Sequence, residues 1–488
     1  MISMVFIRNK MKGVLGILIM LFCLLFSNQC LLAQKKQDRR ELFLDCHVVE
    51  KLERSEIRMH SPIDRGVAFY FDKPWEGVSC AYTTIIKDSS LYRAYYRGKL
   101  ISETNETKQI TCIAESKDGI YWYKPQLAIC PIDGYAFNNI ILLNEGDVSH
   151  NFSPFIDINP QCSPLYRYKG IGGKDRKGLF VYQSSDGIIW RKMRQDAFYM
   201  DGDFDSQNVA FWSPEHETYF LFFRKWIRHL GVLYRTIAMT SSKDFINWEK
   251  YTLLDFGDTP IEHLYTNQIS FYYRAPQLLI GVGARLFPGK KAVPDSVSEQ
   301  IGIAYSNDCS DVFLMSSRNA VNVDRTFMEA FIRPGSGYNN WTSRTNYPAL
   351  NIVQTSDSEL SIYVNENYMQ SDAHLRRYSI RIDGFTSVHA GYIGGTVLTK
   401  SFRLTGTMLE INYSTSAAGG IQIELMDEDG KVLQGFSKED CEYIVGDEIS
   451  RIVKWKNESD LSLFEGKIVR MKFYLKDADV FSYRFWKG

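Results

Sequence analysis

The sequence predicts an all-β protein in which a five-bladed β-propeller is followed by a β-sandwich. Three observations support this fold class: short β-type segments without helical periodicity, a recurring turn motif, and a change to regular alternation near the C-terminus.

The short segments are rich in Val, Ile, Tyr, Phe and Thr, as in residues 92–96, 219–223 and 278–282. Gly, Asn, Asp and Pro separate them, and no long stretch has the 3.6-residue period of a helix. This pattern is typical of an all-β chain.

The turn motif is Ser-x-Asp-Gly-x-x-Trp, found at residues 116–122 and 184–190, with a third copy at 242–248 that has Phe in place of Gly. Weaker echoes occur at 316–319 and 381–385, and the five copies are 58 to 75 residues apart. That spacing fits one four-stranded sheet per copy, with the turn closing an outer hairpin and the Trp packing between sheets. Chance recurrence is the alternative, but three copies share both the turn and the Trp.

Each repeat also contains a polar segment before an apolar run, which we interpret as the start of its innermost strand. These segments are residues 75–77, 149–151, 204–208, 265–268 and 341–346. In a propeller the starts of the inner strands surround one axial pocket, so we expect these polar groups to lie together.

Regular alternation begins near Thr396, as in residues 409–413 and 469–475, and predicts a separate β-sandwich. The predicted organisation is a signal peptide at residues 1–34, a propeller at 35–395 and a sandwich at 396–488.

The N-terminus has Arg8, Lys10 and Lys12 before an apolar run over residues 14–26, which is typical of a signal peptide cleaved near Ala33. A permanent anchor is disfavoured because that run is shorter than the ~20 residues of a membrane-spanning helix. The polar residues before Cys30 disfavour a lipid attachment site. We therefore expect an exported protein, periplasmic or extracellular, without a membrane span after cleavage.

Charge and cysteine content exclude several function classes. Removing residues 1–34 leaves 54 Lys and Arg against 57 Asp and Glu, which gives no basic surface for nucleic acid. No Cys-x-x-Cys pair occurs, so we expect no metal site and no cofactor. The aromatic content of 14% suits both sugar stacking and core packing, so it does not choose between them.

Hydrolysis of a glycosidic bond needs two carboxyl groups on opposite sides of the bond, and a propeller can supply them from different blades. Asp205 is the best candidate because it lies in a cluster of polar residues directly before a strand; capping a turn is its alternative role. Glu76 has the equivalent place in the first blade, although Pro74 and Gly77 make a solvated loop possible there.

Two further acids are candidates for the general acid. Glu329 has apolar neighbours, so desolvation would raise its pKa; an ion pair with Arg333 is the alternative. Glu366 is the rival for the same role, and the sequence does not decide between them.

Other polar and aromatic residues of these segments are candidates for sugar binding, because Arg and Asn can grip hydroxyl pairs or a carboxylate and Trp can stack on a sugar ring. They are Trp75, His150, Asn151, Gln207, Asn208, Asn267, Gln268, Arg274, Arg285, Trp341, Arg344 and Asn346. Each could equally be a residue that links neighbouring blades.

Residues 114–119, 150–155, 204–208 and 344–348 carry a resemblance to the five-bladed propeller hydrolases of glycoside-hydrolase families 32 and 43, and more closely to exported bacterial proteins related to them. The resemblance covers most of residues 60–395, and the C-terminal part resembles the family 32 arrangement. It implies an axial pocket with three acids, acting on furanosides or similar sugars. The Asn-Asp-Pro-Asn, Arg-Asp-Pro and Glu-Cys motifs of family 32 are absent, so only Asp205 carries over.

Three functions remain open from the sequence. The first is a glycoside hydrolase, and the second is a carbohydrate-binding propeller without turnover, favoured if Glu76, Glu329 and Glu366 all lie outside the pocket. The third is a lyase or phosphorolytic enzyme. Phosphorolysis predicts that Arg274, Arg285 and Arg344 converge on one anion-sized spot.

Overall fold

The computed structural model describes residues 39–101, 106–301, 306–456 and 460–487. These residues form two compact units, one spanning Met59–Phe385 and the other combining the residues up to Arg58 with those from Thr386 onward. The predicted signal peptide, residues 1–34, lies outside the described residues. In the part of the chain that is described, no helix has the length and apolarity needed to cross a bilayer.

The first half of the chain contains β1 (Arg40–Leu42), β2 (Val49–Glu53), β3 (Glu56–Met59), β4 (Ile63–Tyr70), β5 (Ala81–Asp88), β6 (Leu91–Ile101), β7 (Thr107–Ser116), β8 (Trp122–Tyr123), β9 (Ile140–Leu142), α1 (Asp147–His150), β10 (Ser153–Ile156), β11 (Tyr168–Lys174), β12 (Gly178–Ser184), β13 (Arg191–Lys192), β14 (Val209–Ser213), β15 (Thr218–His229) and β16 (Val232–Ser242). The second half contains β17 (Thr252–Leu253), β18 (His263–Leu264), β19 (Ile269–Tyr272), β20 (Ala275–Phe287), α2 (Asp295–Ile301), β21 (Cys309–Ser317), β22 (Val323–Asp324), β23 (Tyr347–Pro348), β24 (Val353–Gln354), β25 (Glu359–Glu366), β26 (His374–Arg381), β27 (Thr386–Ala390), β28 (Gly395–Thr399), β29 (Phe402–Arg403), β30 (Met408–Asp427), β31 (Asp447–Ile452) and β32 (Ile468–Trp486). Single 3-10 turns occur at Pro164–Tyr166 and Ser462–Phe464.

The first unit is a five-bladed β-propeller, which confirms the predicted fold class. Its five antiparallel sheets have the orders β5-β6-β7-β8, β10-β11-β12-β13, β14-β15-β16-β17, β18-β20-β21-β22 and β23-β25-β26-β4. The inner strands β5, β10, β14, β19 and β23 contact one another around the axis, directly or through β20. Strand β4 pairs with β26, so the N-terminal strand of the propeller completes the last blade and closes the ring.

The recurring turn closes the outer hairpin of the first three blades, as predicted. Asp118, Asp186 and Asp244 each accept two backbone N–H groups at 2.8–2.9 Å. The next residue has φ between 65° and 75° in all three copies, which suits Gly in the first two and strains Phe245 in the third. Trp122 packs on Phe69 and Tyr363 of the last blade, so it lies between sheets as expected.

The two weaker copies differ from each other. Asn319 of the fourth blade accepts two backbone N–H groups in the same way, so this copy is a true repeat. Asp383 instead accepts hydrogen bonds from Tyr272 and Arg274 of the fourth blade. The hairpin is absent there because β4, from the far end of the chain, takes the outer position.

The second unit is a nine-stranded antiparallel sheet around one hydrophobic core. Strands β30 and β32 pair along their length, with a register shift between Thr415 and Gly420. Residues on both sides of that shift, such as Ile411 and Ile423, belong to the same core. The two-layer sandwich stays a prediction. The division between units also differs from the predicted 35–395 and 396–488, because strands β1 and β2 pair with β32 and β28.

Candidate active site

The starts of the inner strands enclose a cavity of about 120 Å³ on the propeller axis. Its lining residues are Ala81, Tyr82, Arg97, His150, Asp205, Tyr265, Arg344, Tyr347 and Tyr368. Every blade contributes at least one of them, because each precedes or begins an inner strand, lies on the strand next to it or, like Tyr368, lies just after that strand. The expectation that polar groups from different blades meet here therefore holds for His150, Asp205 and Arg344. We call this space the axial cavity.

Several residues at or near the axial cavity have a strained backbone. Tyr82 and Arg344, which line it, have φ of 55° and 65°, and the nearby Gln268 and Asn346 have φ of 45° and 55°. Residues with a side chain rarely adopt positive φ, and such strained positions cluster at functional sites. At Tyr82 the strain coincides with a register shift between Ala81 and Thr84 in the pairing of β5 with β6.

Asp205 is the only carboxylate among the lining residues, and it is loosely held. Its side chain is 38% exposed. Its two oxygens lie 3.5 Å from His150 Nε2 and 3.5 Å from Arg224 Nη2, which are ion-pair rather than hydrogen-bond distances. The carboxylate therefore keeps accepting capacity for a ligand or a water molecule.

His150 connects Asp205 to Arg97. Its Nδ1 lies 3.5 Å from Arg97 Nη1 and 2.7 Å from Gln109, and its Nε2 lies 3.3 Å from the Asp205 carbonyl oxygen. Burial, and after it the Arg97 charge, lowers the pKa of His150 to about 4, so the ring is neutral at neutral pH. Nδ1 faces Gln109 Oε1 and Nε2 faces oxygens of Asp205, so the tautomer decides which of the two ring nitrogens donates.

Asp175, in the turn between β11 and β12, is a second acid beside Asp205. Its Oδ2 lies 3.9 Å from Arg224 Nη2, the nitrogen that also contacts Asp205, and its Oδ1 accepts the backbone N–H of Asp205 at 3.1 Å. Burial, opposed by Arg224 and reinforced by the Asp205 charge, raises the pKa of the Asp175 carboxyl. A carboxyl group with a raised pKa in a cleft is a candidate general acid.

Arg97 and four tyrosines form the remaining wall of the axial cavity. Arg97 Nη2 donates to the Ser79 carbonyl at 2.8 Å and to the Tyr368 hydroxyl at 3.1 Å, and its guanidinium lies 4.9 Å from the centre of the Tyr82 ring. The Tyr265 and Tyr347 rings are 4.9 Å apart. Sugar rings bind well against such a wall, which combines aromatic faces with fixed donors.

A layer of amide side chains lies beneath the axial cavity and links the blades. Gln207 donates to Thr84 Oγ1 at 2.8 Å, and Gln268 donates to the Gln207 side-chain oxygen and to the Pro348 carbonyl. Thr83 donates to Asn365 at 3.0 Å. These buried bonds join the first, third, fourth and fifth blades, so Gln207 and Gln268 position the site rather than line it.

A larger cavity of about 460 Å³ lies at the other end of the inner strands. Its lining is mainly apolar, with Ile85, Phe155, Phe211 and Phe271 among its residues, and it contains no carboxylate or histidine. Of these two cavities, only the axial cavity is lined by a carboxylate and a histidine.

Glu76, predicted as a catalytic acid, is a structural residue of the first blade. It is fully buried, pairs with Lys124 at 2.7 Å, and accepts hydrogen bonds from Tyr96 and from the backbone of Lys73. The first inner strand begins at Ala81 rather than just after residue 77, so Glu76 lies away from the axial cavity. Trp75 beside it is buried and donates to Asn139, so it offers no face for sugar stacking.

Glu366 and Glu329 also lie outside the axial cavity lining. Glu366 pairs with Arg376 at 2.8 Å and accepts from Tyr378 at 2.7 Å. Burial alone would raise the pKa of Glu366, but hydrogen bonds from His374 and Tyr378 and the Arg376 charge hold it below its usual range, which does not suit a general acid. Glu329 is exposed, so the desolvation expected for it is not found.

The remaining predicted binding residues mostly hold the backbone. Asn151, Asn208 and Asn346 are buried and donate to backbone carbonyls, and Asn267 accepts the backbone N–H of Ile269. Trp341 donates to the Gly335 carbonyl. Arg274 pairs with Asp383, and Arg285 pairs with Asp311 and Glu262. Only Arg344 of the three arginines lines the axial cavity, so the convergence expected for phosphorolysis is not found.

Sequence reasoning missed Arg97, Arg224, Asp175 and the cavity tyrosines. Arg97 and Arg224 lie within strands, where an alternating pattern gives no sign of which end is near the axis. Asp175 lies in a Gly-Gly-Lys-Asp-Arg-Lys-Gly stretch that is typical of an ordinary hairpin turn. Tyr347 was detectable, because it directly follows the polar segment 341–346.

No protein family matches the sequence, and no curated protein matches it. Solved structures do match, and they include a glycoside hydrolase with 11% identity and a TM-score of 0.45 that covers 66% of this chain and 92% of its own. Another is a family 32 β-fructofuranosidase from Bombyx mori, with 10% identity, a TM-score of 0.40, and coverage of 86% and 95%. A third is an N-acetylgalactosamine deacetylase from F. plautii, with 11% identity, a TM-score of 0.41, and coverage of 67% and 96%. The five blades agree with the fold that the sequence resemblance implies.

Proposed function

We propose that this protein is an exported glycoside hydrolase that cleaves a glycosidic bond at the axial cavity, with Asp205 and Asp175 as its two carboxyl groups. The observation that carries the proposal is that both lie within 4 Å of one nitrogen of Arg224, beside a cavity lined from all five blades. Their nearest oxygens are no farther apart than the sum of those two distances. Glycosidase carboxyl groups lie about 5 to 9.5 Å apart, and the upper limit set by the two Arg224 contacts falls inside that range.

The two acids have different roles in this mechanism. Asp175, whose pKa is raised, is the general acid, and in its protonated form it gives its proton to the glycosidic oxygen as the bond from the anomeric carbon breaks. Asp205 is the carboxylate that removes a proton from the attacking water or itself attacks the anomeric carbon. Arg224 and His150, each 3.5 Å from one carboxylate oxygen, keep Asp205 oriented. The tyrosine wall holds the sugar and excludes water from the far side.

A carbohydrate-binding propeller without turnover is the second candidate. It is favoured by the position of Glu76, Glu329 and Glu366, none of which lines the axial cavity. The two candidates share the binding site and differ only in whether Asp205 and Asp175 perform chemistry.

The test is a screen of the chain from residue 35 onward against plant and host glycans, with product release as the measurement. For any glycan that is cleaved, we expect Asp205→Asn to lower kcat/KM by about 10³-fold or more while the melting temperature stays unchanged. Asp201→Asn is a matched control, because Asp201 is an exposed acid of the same loop. Turnover unaffected by Asp205→Asn would remove the proposed mechanism, and glycan binding without cleavage would support the second candidate.

A further inference from the structure

Arg97 brings a buried positive charge to the axial cavity without a carboxylate partner. Its side chain is 9% exposed, and its contacts are the Ser79 carbonyl, the Tyr368 hydroxyl and His150. All three are neutral, since burial keeps His150 uncharged at neutral pH. Arginine stays protonated in proteins, and a buried charge without a counter-ion is costly.

The acids of the site do not neutralise Arg97. Asp205 pairs with Arg224 and His150, and Asp175 pairs with Arg224. Among the described residues, no carboxylate oxygen lies within 4 Å of the Arg97 guanidinium. The cavity wall therefore has one positive charge for which the protein supplies no partner.

A second arginine strengthens the positive field. Arg235 lies 5.2 Å from the centre of the Tyr265 ring, behind the cavity wall, and it also has no carboxylate within 4 Å among the described residues. The Tyr347 hydroxyl, which faces this region, is buried and has no hydrogen-bond partner in the described structure. Arg97 and Tyr347, whose hydroxyl is unused, thus line the same small space, with Arg235 outside its lining.

We propose that the sugar unit held in the axial cavity is a uronic acid whose carboxylate pairs with Arg97. The inference rests on the proposed function, because it names the substrate class of the same site. A carboxylate brings the negative charge that Arg97 lacks, and Arg97 Nη1, whose one contact is His150 Nδ1 at 3.5 Å, has a second N–H with which to donate to it. A phosphate or sulfate ester is disfavoured, because more oxygen atoms and, for phosphate, more charge would have to fit into about 120 Å³ beside Asp205.

The test measures binding of monosaccharides by titration calorimetry, which needs no turnover. D-glucuronate and D-galacturonate are compared with D-glucose and D-galactose, and we expect the better uronate to bind at least about tenfold more tightly than its neutral parent. The preference should weaken as salt concentration rises, because it is electrostatic. Glucose 6-phosphate and galactose 6-sulfate test for tetrahedral anions.

Variants assign the preference to Arg97. Arg97→Gln should lower uronate affinity by about 30-fold and leave neutral-sugar affinity within about threefold, whereas Arg97→Lys should retain part of the preference because it keeps the charge. Arg191→Gln, at an exposed arginine of an outer strand, is the matched control. Arg97→Lys and the wild-type comparison keep the test informative if Arg97→Gln does not fold.

Equal or weaker binding of both uronates relative to the neutral sugars would overturn the inference, as would tighter binding of the phosphate or sulfate ester. The inference and the proposed function fail separately. Asp205→Asn should lose turnover and keep the uronate preference, so turnover unaffected by that change overturns the mechanism alone. Cleavage of neutral glycans without uronate binding overturns the substrate class alone.

Discussion

Glu76 in the first blade and Asp205 in the third both precede an inner strand, yet the protein holds them very differently. Glu76 is fully buried, and Lys124, Tyr96, Asn139 and its own loop satisfy its oxygens. Asp205 is partly exposed and has only ion-pair contacts at 3.5 Å. A complete set of close donors indicates a structural role, whereas spare accepting capacity at a cavity is what catalysis needs.

The largest expected effect concerns catalysis by Asp175, the neighbour of the loosely held Asp205. Asp175→Asn should lower kcat by about 10²- to 10⁴-fold, the usual contribution of a general acid. The pKa of Asp175 is raised, and a general acid acts only when protonated, so wild-type activity should fall as pH rises through that pKa. A pH profile of kcat/KM checks this, because the fall in kcat/KM with rising pH should be absent from the variant. If the fall persists in Asp175→Asn, the general acid is another group.

The next largest effect concerns the contribution of the tightly held Glu76 to stability. Glu76→Ala leaves the buried Lys124 with the exposed Asp72 as its only carboxylate partner, beside the Tyr70 carbonyl, so we expect the free energy of unfolding to fall by about 3 kcal/mol. Urea denaturation measures it, with Glu76→Gln as the milder variant that keeps the bond to Tyr96. Asp205→Ala should change stability by about 1 kcal/mol or less, since its contacts are long and partly solvated. Equal losses for Glu76→Ala and Asp205→Ala would break the comparison.

A smaller loss is expected at Glu366, where Arg376 retains Asp64 as a second partner. Glu366→Gln should cost about 1 to 2 kcal/mol at pH 7. Because the folded pKa of Glu366 is lowered, its contribution is present above its unfolded pKa and disappears as pH falls through the folded value. Denaturation at pH 7 and at acid pH should therefore show the difference between wild type and variant shrinking. A difference that grows in acid would contradict the pKa direction.

The smallest effect is expected at Asp244. It tests whether a carboxylate with a full set of hydrogen-bond donors stabilises the protein even when it is exposed. Asp244 is exposed, and the backbone N–H groups of Asn247 and Ile246 lower the pKa of its carboxyl. Its contribution should therefore be present at neutral pH and lost only in strong acid. Asp244→Asn should lower the melting temperature slightly at pH 7 and by less near pH 2. Asn319, which already has an amide in the fourth blade, gives the reference, and Asn319→Asp should show the opposite trend.

The sequence predicted the five blades because the repeated turn is local: one Asp and the next few residues suffice to form it. It predicted His150, Asp205 and Arg344 because they lie in polar runs directly before inner strands. Glu76 misled for the same reason, since the bulged strand at Ala81 begins several residues later than the polar run implies. The positions of Arg97 and Asp175 near the axial cavity depend on how strands and blades pair, and no local sequence pattern encodes that pairing.

Closure of the ring by β4 has a consequence for when the site can exist. Asp64 and Arg376, which pair across the closing sheet, are 312 positions apart in the chain. The fifth blade also supplies Arg344, Tyr347 and Tyr368, so the cavity is complete only after nearly the whole propeller has been synthesised. Such distant pairing slows folding, and a chain that is cut short before β26 would possess its acids but have no enclosed place in which to use them.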